Sequence, residues 1–182
     1  MNQDPTAEIT LVTGIPSRPD WLNRAGLRVV SVPPLIKGSD GRYRNSAMSL
    51  GSALEMRERI FVREVRQTRP DVVVVDRRPF GTAGELQLGL TVARRAGAMI
   101  VLGLRDIIDE RETVRAEIAG TSWHGVGAMF DELLVYGDPA LCDHQAEYGL
   151  PLEPTYCGWV VEEPARDASD PSLMVISAGG GG

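Results

Sequence analysis

Charged residues and glycines follow four apolar segments that we predict to be β-strands. They are Thr13-Gly14, Asp76-Arg77-Arg78, Arg105-Asp106 and Gly137-Asp138. In open α/β sheets, ligands bind beyond the carboxyl ends of the strands. The sequence therefore predicts that the binding or catalytic side chains are among these residues.

Arg105-Asp106 has the chemistry of a ligand-binding pair. An arginine can hold a phosphate or a carboxylate through two hydrogen bonds. An aspartate can accept hydrogen bonds from sugar hydroxyls or act as a base. The alternative is structural: Asp106 caps the next helix, or the two side chains form an ion pair.

Asp76, Arg77 and Arg78 follow four consecutive valines and precede a turn that contains proline and glycine. They either line a binding cleft or form a solvated loop with an internal salt bridge, and such bridges usually contribute little to stability. Asp138 is interpreted first as the N-cap of a helix with Pro139 in its first turn.

The remaining reactive side chains do not form a familiar site. Neither His124 nor His144 has a partner at a metal-ligand spacing, so both are interpreted as structural or surface residues and no metal is expected. Cys142 and Cys157 are expected to be free thiols, and packing is favoured for Trp159. The sequence has no GxxxxGK[ST] loop and no Gly-x-Ser-x-Gly elbow, which argues against a P-loop nucleotide enzyme and a serine hydrolase.

Alternating apolar and amphipathic segments must position these residues. Strands are predicted at residues 9–13, 27–32, 71–76, 98–104, 133–136 and 155–161, and helices at 49–68, 82–96, 109–120 and 138–149. The valine run indicates a strand buried on both faces, and residues 37–45 are predicted to be a loop. This order predicts an α/β fold with an open, mostly parallel, Rossmann-like sheet and helices on both faces.

Composition limits the partners. Among 182 residues, 19 are Lys or Arg and 25 are Asp or Glu, so the net charge is −6. An acidic surface argues against nucleic-acid binding. The acidic amino terminus is unlike a signal peptide, and the longest apolar stretch falls far short of the roughly 20 residues of a membrane helix. We expect a cytoplasmic protein with no transmembrane segment.

Three parts of the chain differ in composition. Residues 1–161 are predicted to form one Rossmann-like domain, and residues 162–171, with two prolines and four acidic residues, a linker. Residues 172–182 contain a further predicted strand at 173–177, followed by Ala178 and four glycines. A glycine turn after a strand can bring backbone N–H groups to a diphosphate, and a frayed tail is the alternative.

Ten short motifs, taken in order, resemble those of a family of predicted bacterial glycosyltransferases related to the MurG-like family-28 enzymes of the GT-B fold. They are Leu11-Val-Thr-Gly14, Val32-Pro-Pro-Leu35, Arg69-Pro-Asp-Val-Val-Val-Val-Asp76, Pro79-Phe-Gly81, Gly84-Glu-Leu86, Leu102-Gly-Leu-Arg-Asp-Ile-Ile-Asp109, Val135-Tyr-Gly-Asp-Pro139, Glu147-Tyr-Gly-Leu150, Tyr156-Cys-Gly-Trp-Val160 and Ser177-Ala-Gly-Gly-Gly181. The resemblance extends from about Glu8 to the end of the chain.

The resemblance implies two Rossmann-like domains that face a cleft, with a hexosyl group passing from a nucleotide sugar, UDP- or GDP-linked, to a small-molecule or lipid-linked acceptor. No cofactor is implied. The acceptor side of the cleft would be lined by Gly14, Asp76, Arg77, Arg105 and Asp106. The donor-phosphate loop would contain Gly179, Gly180 and Gly181.

Two family features are not found in this sequence. Family members usually have a further strand, a glycine- and histidine-bearing turn and a helix before the equivalent of Glu8, and a complete donor domain after residue 182. Sugar transfer requires both substrates in one cleft and stabilisation of the departing diphosphate. The resemblance therefore implies a chain that is inactive alone. The alternatives are a subunit of a split transferase, complemented by a donor-half polypeptide, a non-catalytic Rossmann-like binding module, and a relic without function.

Overall fold

A computed structural model describes residues 6–15 and 26–159 of the protein. In chain order, the strands are β1 (Ile9–Thr13), β2 (Leu27–Ser31), β3 (Ile36–Lys37), β4 (Tyr43–Arg44), β5 (Val72–Asp76), β6 (Met99–Arg105), β7 (Glu132–Tyr136) and β8 (Pro154–Tyr156). The helices are α1 (Leu50–Thr68), α2 (Gln87–Arg95), α3 (Arg111–Ala119), α4 (Val126–Met129) and α5 (His144–Tyr148), with a 3-10 turn at Thr121–Trp123.

The main sheet has four parallel strands in the order β5-β6-β7-β8. Helices connect successive strands, as parallel pairing requires. The predicted α/β class, with an open, parallel, Rossmann-like sheet flanked by helices, is confirmed. The parallel pair β1-β2 forms a separate sheet, and β3-β4 is a short antiparallel hairpin within the segment predicted to be a loop.

The hydrophobic core covers one face of the main sheet. Successive side chains of a strand point to opposite faces, and in β6 the side chains of Ile100, Leu102 and Leu104 are fully buried. They share one cluster with helical side chains such as Leu90 of α2 and Val114 of α3. The long helical connections thus supply the apolar cover that a parallel sheet needs.

The valine strand β5 is not buried on both faces, so that prediction was wrong. Val75 is buried in the core, whereas Val72 is 49% exposed and Val74 is 57% exposed. Successive side chains alternate between the two faces of the sheet, and the core cluster contacts Val73 and Val75 but not Val72 and Val74, which lie on the opposite face. A run of valines specifies a strand but not which of its faces is covered.

Helix α1 connects the two parallel sheets. Ser49 caps its first turn by accepting a hydrogen bond from the Ser52 amide, and the helix ends where Arg69 adopts a left-handed conformation before Pro70. Its Phe61 and Val65 belong to the main core. Its buried Glu64 accepts a 2.6 Å hydrogen bond from Arg28 of β2, so one helix is bound to both sheets.

Two helix starts differ from the predictions. Asp138 does not cap α5, because it accepts a hydrogen bond from Ala140 in a separate turn. Asp143 caps the helix instead, and Gly149 ends it in the left-handed conformation as predicted. Helix α3 begins at Arg111 without a side-chain cap. None of the helices in residues 6–15 and 26–159 is long and apolar enough to cross a membrane.

Candidate functional site

The carboxyl ends of β5, β6 and β7 bring several predicted site residues to one edge of the main sheet. The strand register places Asp76 beside Gly103 and Arg105 beside Tyr136. Asp106 follows Arg105 and contacts Gly137, where an added Cβ atom would lie 2.8 Å from the Asp106 Cβ. Asp76, Arg105 and Asp106 therefore lie at the ends of adjacent strands, as the sequence predicted.

Arg105 presents a free guanidinium group at this edge. Its side chain is exposed, and the part of the chain that the structure describes provides no ion pair for it. The predicted alternative of an Arg105–Asp106 ion pair is therefore not observed. An arginine whose donors are not used by protein carboxylates can bind a phosphate or carboxylate of a ligand.

The buried imidazole of His144 holds the backbone beneath Arg105. Its Nε2 atom lies 2.9 Å from the carbonyl oxygen of Arg105, and its Nδ1 atom lies 3.0 Å from the carbonyl oxygen of Cys142. Tyr156 adds a hydroxyl that accepts a hydrogen bond from the His144 amide. His144 is structural, as predicted, and it fixes the end of β6 against the segment that leads into α5.

Asp106 forms a hydrogen bond with an exposed tryptophan. Its Oδ2 atom accepts from the Nε1 atom of Trp159 at 3.3 Å, and its Oδ1 atom accepts from the Ile107 amide. Since α3 begins at Arg111, Asp106 is not the cap of that helix. Packing was favoured for Trp159, but its side chain is 54% exposed. An amphipathic ring held by a carboxylate offers an apolar face for a ligand.

Tyr136 extends this group of side chains over the sheet. A Cβ atom on Gly103 would lie only 2.0 Å from the Tyr136 hydroxyl, so the phenol crosses β6 where that strand has no side chain. Burial raises the pKa of Tyr136, and the nearby negative charge of Asp76 raises it further. The hydroxyl is therefore a neutral hydrogen-bonding group at physiological pH. Tyr136 was not among the residues predicted from the sequence, because no sequence spacing relates Tyr136 to Gly103.

Arg77 and Arg78 point away from this edge. The guanidinium of Arg77 lies 3.9 Å from the Glu117 carboxylate, and that of Arg78 lies 4.0 Å from the same side chain and over the ring of Tyr43. Arg77 also has a positive φ of 54°. The internal salt bridge predicted as the alternative for this loop is not seen among the described residues, because both guanidinium groups lie near Glu117 of α3.

Gly14 lies at the end of β1, in the smaller parallel sheet. An added Cβ atom would lie 3.2 Å from Arg57 Nη1 and 3.3 Å from Pro34 Cα. Arg57 donates to the carbonyl of Pro33 at 3.0 Å and to the buried carboxylate of Glu85 at 3.2 Å. This Arg57–Glu85 pair was missed by sequence reasoning, since its members are 28 residues apart. It ties the ends of β1 and β2 to the turn after β5.

The predicted donor-phosphate residues Gly179, Gly180 and Gly181, the linker at 162–171 and the segment 172–182 lie outside the described residues. Within residues 6–15 and 26–159, no three His, Cys, Asp or Glu side chains are grouped to hold a metal ion. Both cysteines are free thiols. Comparison of the chain with protein-family models, with curated proteins and with solved structures finds no match.

Proposed function

We propose that this chain is the acceptor-side part of a glycosyltransferase that transfers a hexosyl group from a nucleotide sugar. The observation that supports the proposal is the Trp159–Asp106 contact at the carboxyl edge of a parallel sheet, beside Arg105, which has no ion-pair partner among the described residues. Ligands of open α/β sheets bind at this edge. The order of the ten motifs in the sequence gives the proposal its reaction class.

Each side chain of the group suits one part of a sugar acceptor. The exposed ring of Trp159 packs against the C–H face of a hexose. The carboxylates of Asp106 and Asp76 accept hydrogen bonds from its hydroxyl groups. Arg105 binds a phosphate or carboxylate attached to the sugar, through two parallel hydrogen bonds.

The described residues supply the acceptor side of the reaction only. Leaving-group stabilisation needs preorganised hydrogen-bond donors around the departing diphosphate, and we assign these to a donor-side domain. The 182-residue chain alone is therefore expected to release no nucleoside diphosphate from UDP- or GDP-hexoses. Steady turnover by the purified chain would contradict this assignment.

Sugar binding can be tested through the indole N–H signals in a nitrogen-15 NMR spectrum. We expect methyl hexosides of glucose, galactose, mannose or N-acetylglucosamine to shift the Trp159 signal in a saturable way, because the ring is exposed beside Asp106. The signal of Trp123, which is buried, serves as the internal control. The proposal fails if none of the hexosides shifts Trp159, or if Trp123 shifts equally.

A matched pair of variants locates the site. Asp106→Asn keeps the size of the side chain and an acceptor oxygen but removes the charge, and it should weaken hexoside binding. Asp138→Asn, on an exposed turn that contacts none of these side chains through its carboxylate, should not. Binding without transfer, even when a donor half is supplied, would favour a non-catalytic sugar-binding module.

A further inference from the structure

Two neighbouring arginines in the turn after β5 have side chains that converge on one carboxylate. Arg77 Nη2 lies 3.9 Å from Glu117 Oε2, and Arg78 Nη1 lies 4.0 Å from Glu117 Oε1. A hydrogen-bonded pair of guanidinium and carboxylate has an N···O distance of about 2.8 Å. Both contacts are too long for hydrogen bonds, so Glu117 attracts the two arginines without using their N–H groups.

The N–H groups of both guanidinium groups are left without acceptors. In the part of the chain that the structure describes, neither side chain donates a hydrogen bond. Arg77 is only 30% exposed and Arg78 only 34% exposed, so water reaches them in part. Within this group of three side chains, two positive charges meet the single negative charge of Glu117. One positive charge is therefore uncompensated, which favours the binding of an anion.

Arg78 is held in place without the use of its side-chain donors. The central carbon of its guanidinium lies 5.5 Å from the ring centroid of Tyr43 in β4, a distance typical of a cation–π interaction. Its amide donates to the Asp76 carbonyl at 3.0 Å, and its carbonyl accepts from the Gly81 amide at 2.9 Å. The guanidinium is thus positioned by its ring contact and by a fixed backbone, and its N–H groups remain available to a ligand.

Arg77 has an unfavourable backbone conformation. Its φ of 54° lies in the left-handed region, which residues with a Cβ atom rarely adopt. Among residues 6–15 and 26–159, Arg69 is the other non-glycine residue with a positive φ, and there the end of α1 accounts for it. Arg77 follows a strand instead. Strained residues are concentrated at functional sites, so the strain at Arg77 is consistent with a role for its side chain.

We propose that Arg77 and Arg78 bind inorganic phosphate in competition with Glu117. A guanidinium group holds phosphate through paired hydrogen bonds, and the free ion offers an oxygen atom for each hydrogen bond that the two arginines donate. A phosphate ester is less suitable, because one of its oxygen atoms is blocked by carbon. In the free protein, the Glu117 carboxylate lies where the ion binds. Binding replaces two long contacts with charge-assisted hydrogen bonds and moves Glu117 aside.

This phosphate site is separate from the group at the end of β6. Its side chains come from the turn after β5, from α3 and from β4. In the described part of the chain, none of them shares a hydrogen bond or an ion pair with Arg105, Asp106 or Trp159. The inference therefore goes beyond the proposed sugar chemistry and does not rest on it.

Titration of the nitrogen-15-labelled full chain with inorganic phosphate, at constant ionic strength and neutral pH, tests the site by NMR. We expect saturable shifts of the amide signals of Arg78 and Gly81, because both residues lie in the turn that carries the arginines. Glucose 1-phosphate should bind at this turn several-fold more weakly. In Arg105→Ala, the shifts of Arg78 and Gly81 should be unchanged, because they report this site and not the end of β6.

The matched variants are Arg77→Asn and Arg69→Asn. Asparagine tolerates the left-handed conformation, so each variant loses a guanidinium group at a backbone that it can adopt. Arg77→Asn should weaken phosphate binding at least about tenfold, which corresponds to about 1.4 kcal/mol, whereas Arg69→Asn should not change it. Glu117→Gln keeps the size of the side chain but removes the competing charge, so it should tighten binding several-fold.

Four results would overturn the proposal. The first is the absence of saturable shifts at Arg78 and Gly81. The second is an equal loss of affinity in Arg77→Asn and Arg69→Asn, which would indicate only a general attraction of anions. The third is weaker binding in Glu117→Gln, and the fourth is equal affinity for glucose 1-phosphate. If Arg77→Asn does not fold, Arg78→Gln replaces it, and an unchanged affinity in that variant overturns the proposal as well.

Discussion

The four-stranded sheet and the β1-β2 pair are held in the fold by different interactions. In the large sheet, Ile100, Leu102 and Leu133 are fully buried among helical side chains. The small pair also contacts α1 through charged groups, from Arg28 to Glu64 at 2.6 Å and, just after β2, from Arg57 to the Pro33 carbonyl at 3.0 Å, while Val12 of β1 packs against the main core. Apolar burial is insensitive to pH, whereas charged contacts are not, so the two regions should respond differently to mutation and to acid.

The largest loss of stability is expected in the large sheet. Leu102→Ala removes a fully buried side chain and leaves a cavity, which should lower the free energy of unfolding by about 3 kcal/mol. Leu11→Ala in β1 is the matched control, and its cost should be clearly smaller because Leu11 is only half-buried. Urea unfolding followed by circular dichroism measures both. Equal losses would show that the small pair is as tightly packed as the large sheet.

A smaller loss is expected where Tyr136 crosses β6. Gly103→Ala places a methyl group within 2.6 Å of the phenol carbon that bears the hydroxyl, so the ring must move, at a cost of about 1–3 kcal/mol. The cost should fall in a Tyr136→Ala background, where nothing opposes the methyl group. Urea unfolding of the four proteins gives this double-mutant cycle. A cost that is unchanged by Tyr136→Ala would assign the effect to the backbone of β6 instead.

Most of the large sheet could be predicted from the sequence, because its strands are short apolar runs and its helices are amphipathic. What failed depends on contacts across the chain. The exposure of Val74 follows from which face of the sheet the core covers, and a run of valines does not encode that. The acidic residues Asp138 and Asp143 are both plausible caps, and the turn after β7 decides between them.

The candidate site was predicted in part. The position of Arg105-Asp106 at the end of an apolar run was sufficient to place both residues at the carboxyl edge of the main sheet. The contact of Asp106 with Trp159 joins residues 53 positions apart, and that of Tyr136 with Gly103 depends on the strand register. Both contacts are products of the tertiary fold, so no spacing in the sequence could indicate them.

The charged contact at Glu64 should matter mainly for the small pair. Glu64→Gln keeps the size of this buried side chain but removes its charge, and it should cost about 1–2 kcal/mol, because Arg28 and Arg63 are half-exposed and partly hydrated. Amides of β2 should exchange faster in the variant, while those of β6 should not. Equal acceleration in both strands would mean that the two sheets open together.

A fall in pH should likewise weaken the β1-β2 pair more than the four-stranded sheet. Burial opposes the ionisation of Glu64, but hydrogen bonds from Arg28 and Arg63 outweigh it and hold the pKa of the carboxyl below its usual value. The stabilisation is therefore complete above about pH 4.5, the usual pKa of a glutamate, and it is lost as the pH falls through the lowered value. Asp131, whose pKa is lowered by a hydrogen bond from the Ile100 amide, contributes a smaller loss in the large sheet, because its side chain is 34% exposed and water screens its charge.

The pH dependence separates the two carboxylates. In Glu64→Gln, the protection of β2 amides from exchange should depend less on pH between about pH 5 and pH 3. The decrease in the free energy of unfolding that Asp131 causes at low pH should remain. Hydrogen exchange at several pH values measures the first, and urea unfolding across the same range measures the second. A variant whose β2 protection still falls with the original slope would show that another group controls that strand.

The smallest change in stability is expected at Arg105. The side chain is exposed and has no protein carboxylate partner among the described residues, so Arg105→Ala should alter the free energy of unfolding by no more than about 0.5 kcal/mol.

Ligand binding should respond to Arg105→Ala more strongly than stability does, if the guanidinium holds an anionic group of the ligand. Affinity for glucose 1-phosphate should fall about tenfold, which corresponds to about 1.4 kcal/mol, while affinity for methyl glucoside should hardly change. Arg95→Ala, an exposed arginine at the end of α2, is the control and should change neither affinity. Isothermal titration calorimetry with both ligands gives the result, and equal losses for the charged and the neutral sugar would mean that Arg105 shapes the site without binding the anion.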